Sequence, residues 1–544
     1  MTTYYGKGVF DAIAIGKAFL FQHQDRPVRK YCVSNIPREL ERLKAAKELA
    51  KKQLREFHEK AFREVGEATA QIFEVHMMLL EDDTYNASIR NLVETQSVNA
   101  EYAVSATAES LSKTFSSMED AYMQDRAADI KDISDRLILC LGNAEKETLK
   151  STEKMIICAD DLTPSDTISL DKDSVLAFVM AYGSPNSHTA ILARAKNIPA
   201  VIGVGSEFLS AATNGMQLIV DGHVGEIILE PDDEAITKML LRQQEDMRKK
   251  ELLQELKGKE TCTIDGRKIK LCANVGTADD INTALENDAE GIGLFRSEFL
   301  YLENKDYPSE DMQLQAYRRV LERMAGKKVI IRTLDVGADK RIDYFQLGKE
   351  ENPAMGMRAI RIRLTRPELF KTQLRALYRA SVFGKLGIMF PMITSVWEVE
   401  RILAICEEVK SELRKAALPF DENMELGIMI ETPAAAIISD RLAPLVDFFS
   451  VGTNDLTQYT LAVDRQNAKL EPFRDTHHEA ILRLVQLSAE NAHKHGIWIG
   501  ICGELAADPS LTETFLRMGI DELSVSPPFV LPLRDAVRKL DLSK

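Results

Sequence analysis

Residues 291–298, GIGLFRSE, and residues 328–336, KVIIRTLDV, each carry a short apolar run that stops on an arginine. A run of four to eight apolar residues bounded by polar positions marks a strand buried on both faces. The same form recurs in IKLCANVG (269–276), KLGIMFPMI (385–393), ELGIMIETP (425–433), VDFFSVGTND (446–455) and WIGICGEL (498–505). Amphipathic helical patterns lie between most of these runs, and buried strands alternating with helices predict a parallel sheet. The stretch AMGMRAIRIRL (354–364) is expected to supply a further barrel element. Eight such units predict a TIM-type (β/α)8 barrel, a fold that keeps its chemistry at the C-terminal ends of the strands.

Upstream the pattern changes. Residues 232–257 contain no Gly or Pro and are densely charged, which predicts a semi-rigid helical linker. Before it, MIICA, SVLAFVM, PAVIG and MQLIVDG read as short strands of a small α/β unit, with a helix after His188. From Pro37 to Leu141, Gly is scarce and apolar residues recur at helical spacing, as in ELERLKAAKELAKKQLREFHEKAFREVG. This predicts a block of antiparallel helices. Short strands near the amino terminus are expected to complete the α/β unit, so the helical block becomes an insertion. The expected division is a multidomain α/β chain: an α/β unit from residues 1–22 plus 142–231, a helical domain at 23–141, a linker at 232–257 and a barrel at 258–544.

The 544-residue length suits about three domains. A formal net charge of −15 argues against a nucleic-acid partner, because phosphate backbones reward a basic face. The seven cysteines include no CxxC pair, which fits a reducing compartment and excludes a disulfide framework. The opening residues are apolar but interrupted by Gly, Lys and Asp, unlike a signal peptide. No run approaches the ~20 apolar residues of a membrane span. A cytoplasmic chain without membrane insertion is the expectation.

Charged residues gather at the predicted strand ends: Arg296, Arg332, Glu431, Asn454, Asp455 and Cys502, with Arg465 just beyond. Guanidinium groups grip phosphate or carboxylate through paired hydrogen bonds. Hard carboxylate oxygens beside a phosphate suit magnesium, which keeps several waters and takes other ligands from substrate. These residues therefore point to a small, multiply anionic substrate with a divalent metal. Arg358 and Lys340 are weaker anion-binding candidates. A thiol at the mouth is either a nucleophile or, if protonated, a general acid. His188, in GSPNSHTAILAR (183–194), opens a helix whose free N–H groups favour a phosphoryl group carried on the ring.

Taken together, SHTAILAR, IPAVIG, GIGLFRSEFL, KEENPAMGMRAIRIRL, RASVFGKLGIMFPMI, VDFFSVGTNDLTQYTLAVDR and GICGELAAD resemble enzyme I of the bacterial phosphoenolpyruvate:sugar phosphotransferase system. The resemblance covers nearly the whole chain. It implies phosphoryl transfer from phosphoenolpyruvate to His188, and then to a histidine of the phosphocarrier protein HPr. Arg296, Arg332, Asn454, Asp455 and Arg465 would hold phosphoenolpyruvate, Glu431 and Asp455 would bind Mg2+, and Cys502 would protonate the enolate. Arg126 would steady phosphohistidine from the helical domain. The separation of His188 from the arginine-rich half, with two partners to meet, implies a swing of the α/β unit on the linker, and the resemblance implies a homodimer through the barrel. A nitrogen-regulatory paralogue serving a related carrier is the alternative.

Overall fold

Strands β1 (Thr2–Tyr5), β2 (Lys7–Phe10) and β3 (Ile13–Leu20) join β4 (Met155–Ala159), β5 (Val175–Met180), β6 (Ala200–Ile202), β7 (Gln217–Asp221) and β8 (Glu226–Leu229) in one sheet. Its order is β1-β8-β7-β3-β4-β5-β6-β2. The computed structural model describes all residues except 22–27, 65–66, 117–120, 143–152, 171–173, 184–186, 197, 277–279, 303, 305, 338–341, 349 and 466. Contacts divide the chain into two units, Met1–Lys249 and Lys250–Lys544.

In the first unit, β3 pairs in parallel with β4 although about 135 residues separate them, with Lys17 opposite Met155. The intervening chain forms helices Ile36–Glu64, Glu67–Glu81, Asp83–Gln96, Ala100–Ser116 and Ala121–Leu141. They pack around their own core, which includes Leu54, Phe73, Leu80, Ile89 and Val104. The helical block is thus inserted into the α/β sheet. After β5 the chain enters helix His188–Lys196. Ser187 sits just before it, and its hydroxyl accepts from Ala190 N at 3.4 Å, a capping contact that helps fix where the helix starts.

The second unit is a closed parallel barrel of β9 (Lys270–Val275), β10 (Gly291–Arg296), β11 (Lys328–Arg332), β12 (Leu386–Phe390), β13 (Glu425–Ile430), β14 (Phe448–Val451), β15 (Trp498–Ile501) and β16 (Glu522–Val525). The apolar runs read as strands become β9 to β15. The eighth strand comes from ELSV, not from AMGMRAIRIRL. That stretch instead forms a turn at Pro353–Met355 and helix Ile360–Thr365. Its period-two alternation of Arg with Ile and Leu looks strand-like. However, Arg363 is buried in a helix, where its Nη groups donate to Gln373 Oε1 at 2.8 Å and Leu369 O at 3.3 Å. Strand β16 escapes an apolar reading because Glu522 and Ser524 point into the barrel, where a Cβ on Gly293 would lie 2.5 Å from either.

Leu294, Ile330, Met389, Met429 and Phe448 fill the barrel interior, with Cys502 packed against them. A Cβ on Gly427 would meet the Phe448 ring at 2.4 Å, so this glycine makes room for the aromatic plug. The helices cover the outer face of the barrel in a second, larger core that includes Phe295, Phe370, Phe390 and Phe515. Burying such a side chain is worth about 1.5–3 kcal/mol. The packed interior holds the strand ends, and the groups they carry, in place.

Candidate active site

Arg296 closes β10 and Arg332 closes β11, and the two are register partners on adjacent strands. Such partners project to the same face, so two cationic heads share the barrel mouth. Arg296 is exposed by surface area. Crowding by protein atoms in the concave mouth, followed by the charge of Arg332, nevertheless lowers its pKa.

Arg332 is 6% exposed, and a buried guanidinium needs charged partners. Its Nη2 donates to Glu298 Oε1 at 2.8 Å, and its Nη1 lies 3.3 Å from Asp335 Oδ2. Burial pulls its pKa down, but Glu298 and Asp335 outweigh that and raise it. Asp335 in turn accepts two bonds of 3.1 Å from Arg358 Nη2. Arg358 Nη1 donates to Tyr459 Oη at 2.9 Å and lies 3.6 Å from Asp455 Oδ1. Charges therefore alternate Glu298, Arg332, Asp335, Arg358, Asp455 across the mouth.

Glu431 follows β13 and is buried. Its Oε1 accepts from Met392 N at 2.6 Å. Met392 holds a φ of 59°, a left-handed backbone uncommon for a side chain of this kind. Burial, then the charges of Asp455 and Asp335, push the Glu431 carboxyl up to about 8. Asp455 lies in the first turn of helix Thr453–Leu461, where the helix dipole favours a negative charge. It is buried, and its Oδ1 accepts no hydrogen bond among the described residues. Asn454 Oδ1 accepts from Glu504 N at 3.0 Å, tying the end of β14 to the end of β15. Arg465 follows the same helix, donates its backbone N–H to Gln458 Oε1 at 3.1 Å, and is close enough for its charge to act on Arg296.

Cys502 follows β15 and is 4% exposed, with Sγ 3.7 Å from Val451 O. Burial drives its pKa to about 11, against the opposing pull of Ser450, Arg332 and Arg296. At neutral pH the thiol keeps its proton. That suits an acid and disfavours a thiolate nucleophile, a choice the sequence leaves open.

The mouth therefore gathers Arg296, Arg332, Glu431, Asn454, Asp455 and Cys502 just at or after strand ends, with Arg465 reaching it from beyond helix Thr453–Leu461. His188 belongs to the other unit. Its backbone opens helix His188–Lys196, while its ring lies outside the described residues, as does Lys340. Arg126, also in the first unit, donates to Asp129 Oδ2 at 2.8 Å. Sequence reasoning missed Glu298 and Asp335. The available signal was their spacing: each follows a strand-end arginine by two or three residues, in RSE and RTLD.

Among the described residues, no three His, Cys, Asp or Glu side chains converge as a closed metal centre. Two adjacent buried carboxylates, one with an oxygen that accepts no hydrogen bond among the described residues, instead fit a cation that is completed by water and substrate. No helix among the described residues is long and apolar enough to cross a membrane.

Family models agree with this architecture. Those of the PEP-utilising enzymes match in three parts: the N-terminal domain at residues 5–126, the mobile domain at 151–225 and the PEP-binding domain at 250–542. The phosphoenolpyruvate-protein phosphotransferase of Priestia megaterium is 42% identical over 537 residues, covering 98% of this chain and 93% of that protein. The enzyme of the same name from Bacillus subtilis (strain 168) is also 42% identical, covering 98% and 94%. A solution structure of Enzyme I is 32% identical over 45% of this chain and 99% of that one, with a TM-score of 0.39. The chain belongs to the phosphoenolpyruvate-protein phosphotransferase family of PEP-utilising enzymes, and is a transferase.

Proposed function

We propose that this chain moves the phosphoryl group of phosphoenolpyruvate to His188 and then to a histidine of the carrier HPr, releasing pyruvate at the first step of sugar uptake. The observation that carries this reading is the row of alternating charges at the mouth, Glu298, Arg332, Asp335, Arg358 and Asp455, with Glu431 and Cys502 buried beside it. Arg296, Arg332 and Arg465 grip the phosphoryl and carboxylate groups, and Asn454 adds an amide donor. Their charge is fixed before the reaction, so charge spreading over the phosphoryl oxygens is stabilised without reorganisation.

In the first step the phosphorus–oxygen bond of the substrate breaks and a phosphorus–nitrogen bond to the His188 ring forms. The enolate left behind takes the Cys502 proton at its methylene carbon and becomes pyruvate, and the thiolate regains a proton from water. Glu431 and Asp455 would hold Mg2+, which would supply positive charge to the substrate oxygens. His188 opens helix His188–Lys196, and the positive end of a helix dipole favours a phosphorylated ring. Phosphohistidine then passes its phosphoryl to the carrier, with Arg126 of the helical domain steadying it. The same reading includes a cytoplasmic homodimer through the barrel, open to sedimentation analysis.

The test is incubation with labelled phosphoenolpyruvate, Mg2+ and purified carrier. Acid-labile label should appear on the wild type and vanish in His188→Ala, whose fold should remain intact. Stable labelling of that variant would overturn the assignment. Phosphoenolpyruvate turnover that survives a chelator would remove the metal from the reading.

A further inference from the structure

The guanidinium of Arg332 is not free to adopt any pose. Its Nη2 is committed to Glu298 and its Nη1 faces Asp335, yet its Nε is buried and has no hydrogen-bond partner among the described residues. Both Nη atoms are thus held by carboxylates, which fixes the plane of the guanidinium. Glu298 does more than pair with the arginine. The same oxygen, Oε1, accepts from Asp335 N at 3.0 Å, so one carboxylate fixes the guanidinium and the start of the chain that carries its second partner. Glu298 is itself 3% exposed and lies two residues beyond Arg296. Its loss would release Arg332 to turn toward Asp335 or back along the barrel.

We infer that Glu298 is a positioning residue for the phosphoenolpyruvate half-reaction: it holds the Arg332 guanidinium in the pose that meets the substrate anion. The inference rests on the reading of Arg332 as a substrate ligand. A pose shifted by about 1 Å in such a site costs on the order of 100-fold in rate. A carboxylate held only for fold stability would lower the melting temperature without selecting between half-reactions.

The experiment compares full-length wild type, Glu298→Ala, Glu298→Gln and Arg332→Lys. Each is assayed for pyruvate release from phosphoenolpyruvate and for phosphoryl exchange between His188 and the purified carrier, with a melting curve on the same samples. Glu298→Ala should raise the KM for phosphoenolpyruvate and lower kcat/KM by about 100-fold, with carrier exchange within about twofold of wild type. Glu298→Gln keeps an acceptor for both Arg332 Nη2 and Asp335 N, so it should recover most of that loss. Arg332→Lys should impair pyruvate release and spare exchange. Equal loss of both reactions in Glu298→Ala, or no gain in Glu298→Gln, would overturn the inference and leave a structural carboxylate. If Arg332→Lys impairs pyruvate release while Glu298→Ala does not, the inference fails but the reading of the mouth stands. An unaffected Arg332→Lys would overturn both.

Discussion

The two ends of the barrel are both charged, but at only one do several buried atoms of charged groups lack a hydrogen bond among the described residues. At the foot, Lys328, Glu425, Trp498 and Glu522 begin β11, β13, β15 and β16. Lys328 pairs with Glu425 and lies 4.3 Å above the Trp498 ring, which stacks on Phe448 with centroids 4.6 Å apart. There the ionic groups close on one another, and among the described residues the one buried side-chain atom lacking a hydrogen bond is Trp498 Nε1. At the mouth, Arg332 Nε, Arg358 Nε, Glu298 Oε2 and Asp455 Oδ1 are all buried without one. Leaving such atoms unpaired costs about 1–3 kcal/mol each. The foot largely avoids that cost and the mouth bears it, which is the contrast expected if the mouth is the substrate site proposed above.

The sharpest way to break this contrast is at the thiol. Cys502→Ala should slow pyruvate formation by about 10²–10⁴-fold, the usual span for a lost general acid. Exchange between His188 and the carrier makes no enolate and should survive. Equal loss of both would return Cys502 to a packing role.

Gly503→Ala tests how tightly the mouth is built. A Cβ there would meet Thr453 Oγ1 at 2.0 Å and Thr453 N at 2.5 Å, so the turn before Asn454 and Asp455 must move. Overpacking of this kind costs about 1–3 kcal/mol, and turnover of phosphoenolpyruvate should fall with it. A melting curve and pyruvate assay matching wild type would show that the strand ends are more compliant than their packing suggests.

The pH dependence sharpens the same point. Glu431 is raised from an ordinary 4.5 to about 8, so the folded chain holds a proton that the unfolded chain has already lost. Without metal, its contribution to stability should therefore fall as pH rises from about 4.5 to about 8. Magnesium must displace that proton, so its affinity should rise toward pH 8 by up to about tenfold per unit. Calorimetric titration at several pH values would show this, and a flat profile would contradict it.

The smallest effect should come from the foot. Lys328→Met removes a partly exposed ion pair and a cation–π contact, together worth about 1 kcal/mol. Stability should drop by that amount and pyruvate formation should not change. A large catalytic loss would end the distinction between the two ends.

Much of this was legible in the residues alone. Buried parallel strands need unbroken apolar runs, so β9 to β15 announced themselves, and a barrel places its strand ends together. Arg296, Arg332, Glu431, Asn454, Asp455 and Cys502 could then be assigned to one mouth before any coordinates. The eighth strand was hidden because Glu522 and Ser524 face inward, and polarity along the chain does not say which side is the barrel lumen. The alternation in AMGMRAIRIRL misled for the converse reason: Arg363 is buried but paired with Gln373 from a later helix. The ionic pairing of Arg332 with Glu298 and Asp335, and of Arg358 with Asp335, also belongs to tertiary structure. So does the protonation of Cys502, because a pKa depends on which groups surround an atom in space. The amino-acid sequence by itself determined the order of elements and the chemistry available at their ends. Only the folded barrel decided which of those groups neutralise one another and which are left without a hydrogen bond, since burial and distance set charge energies and neither is a property of chain order.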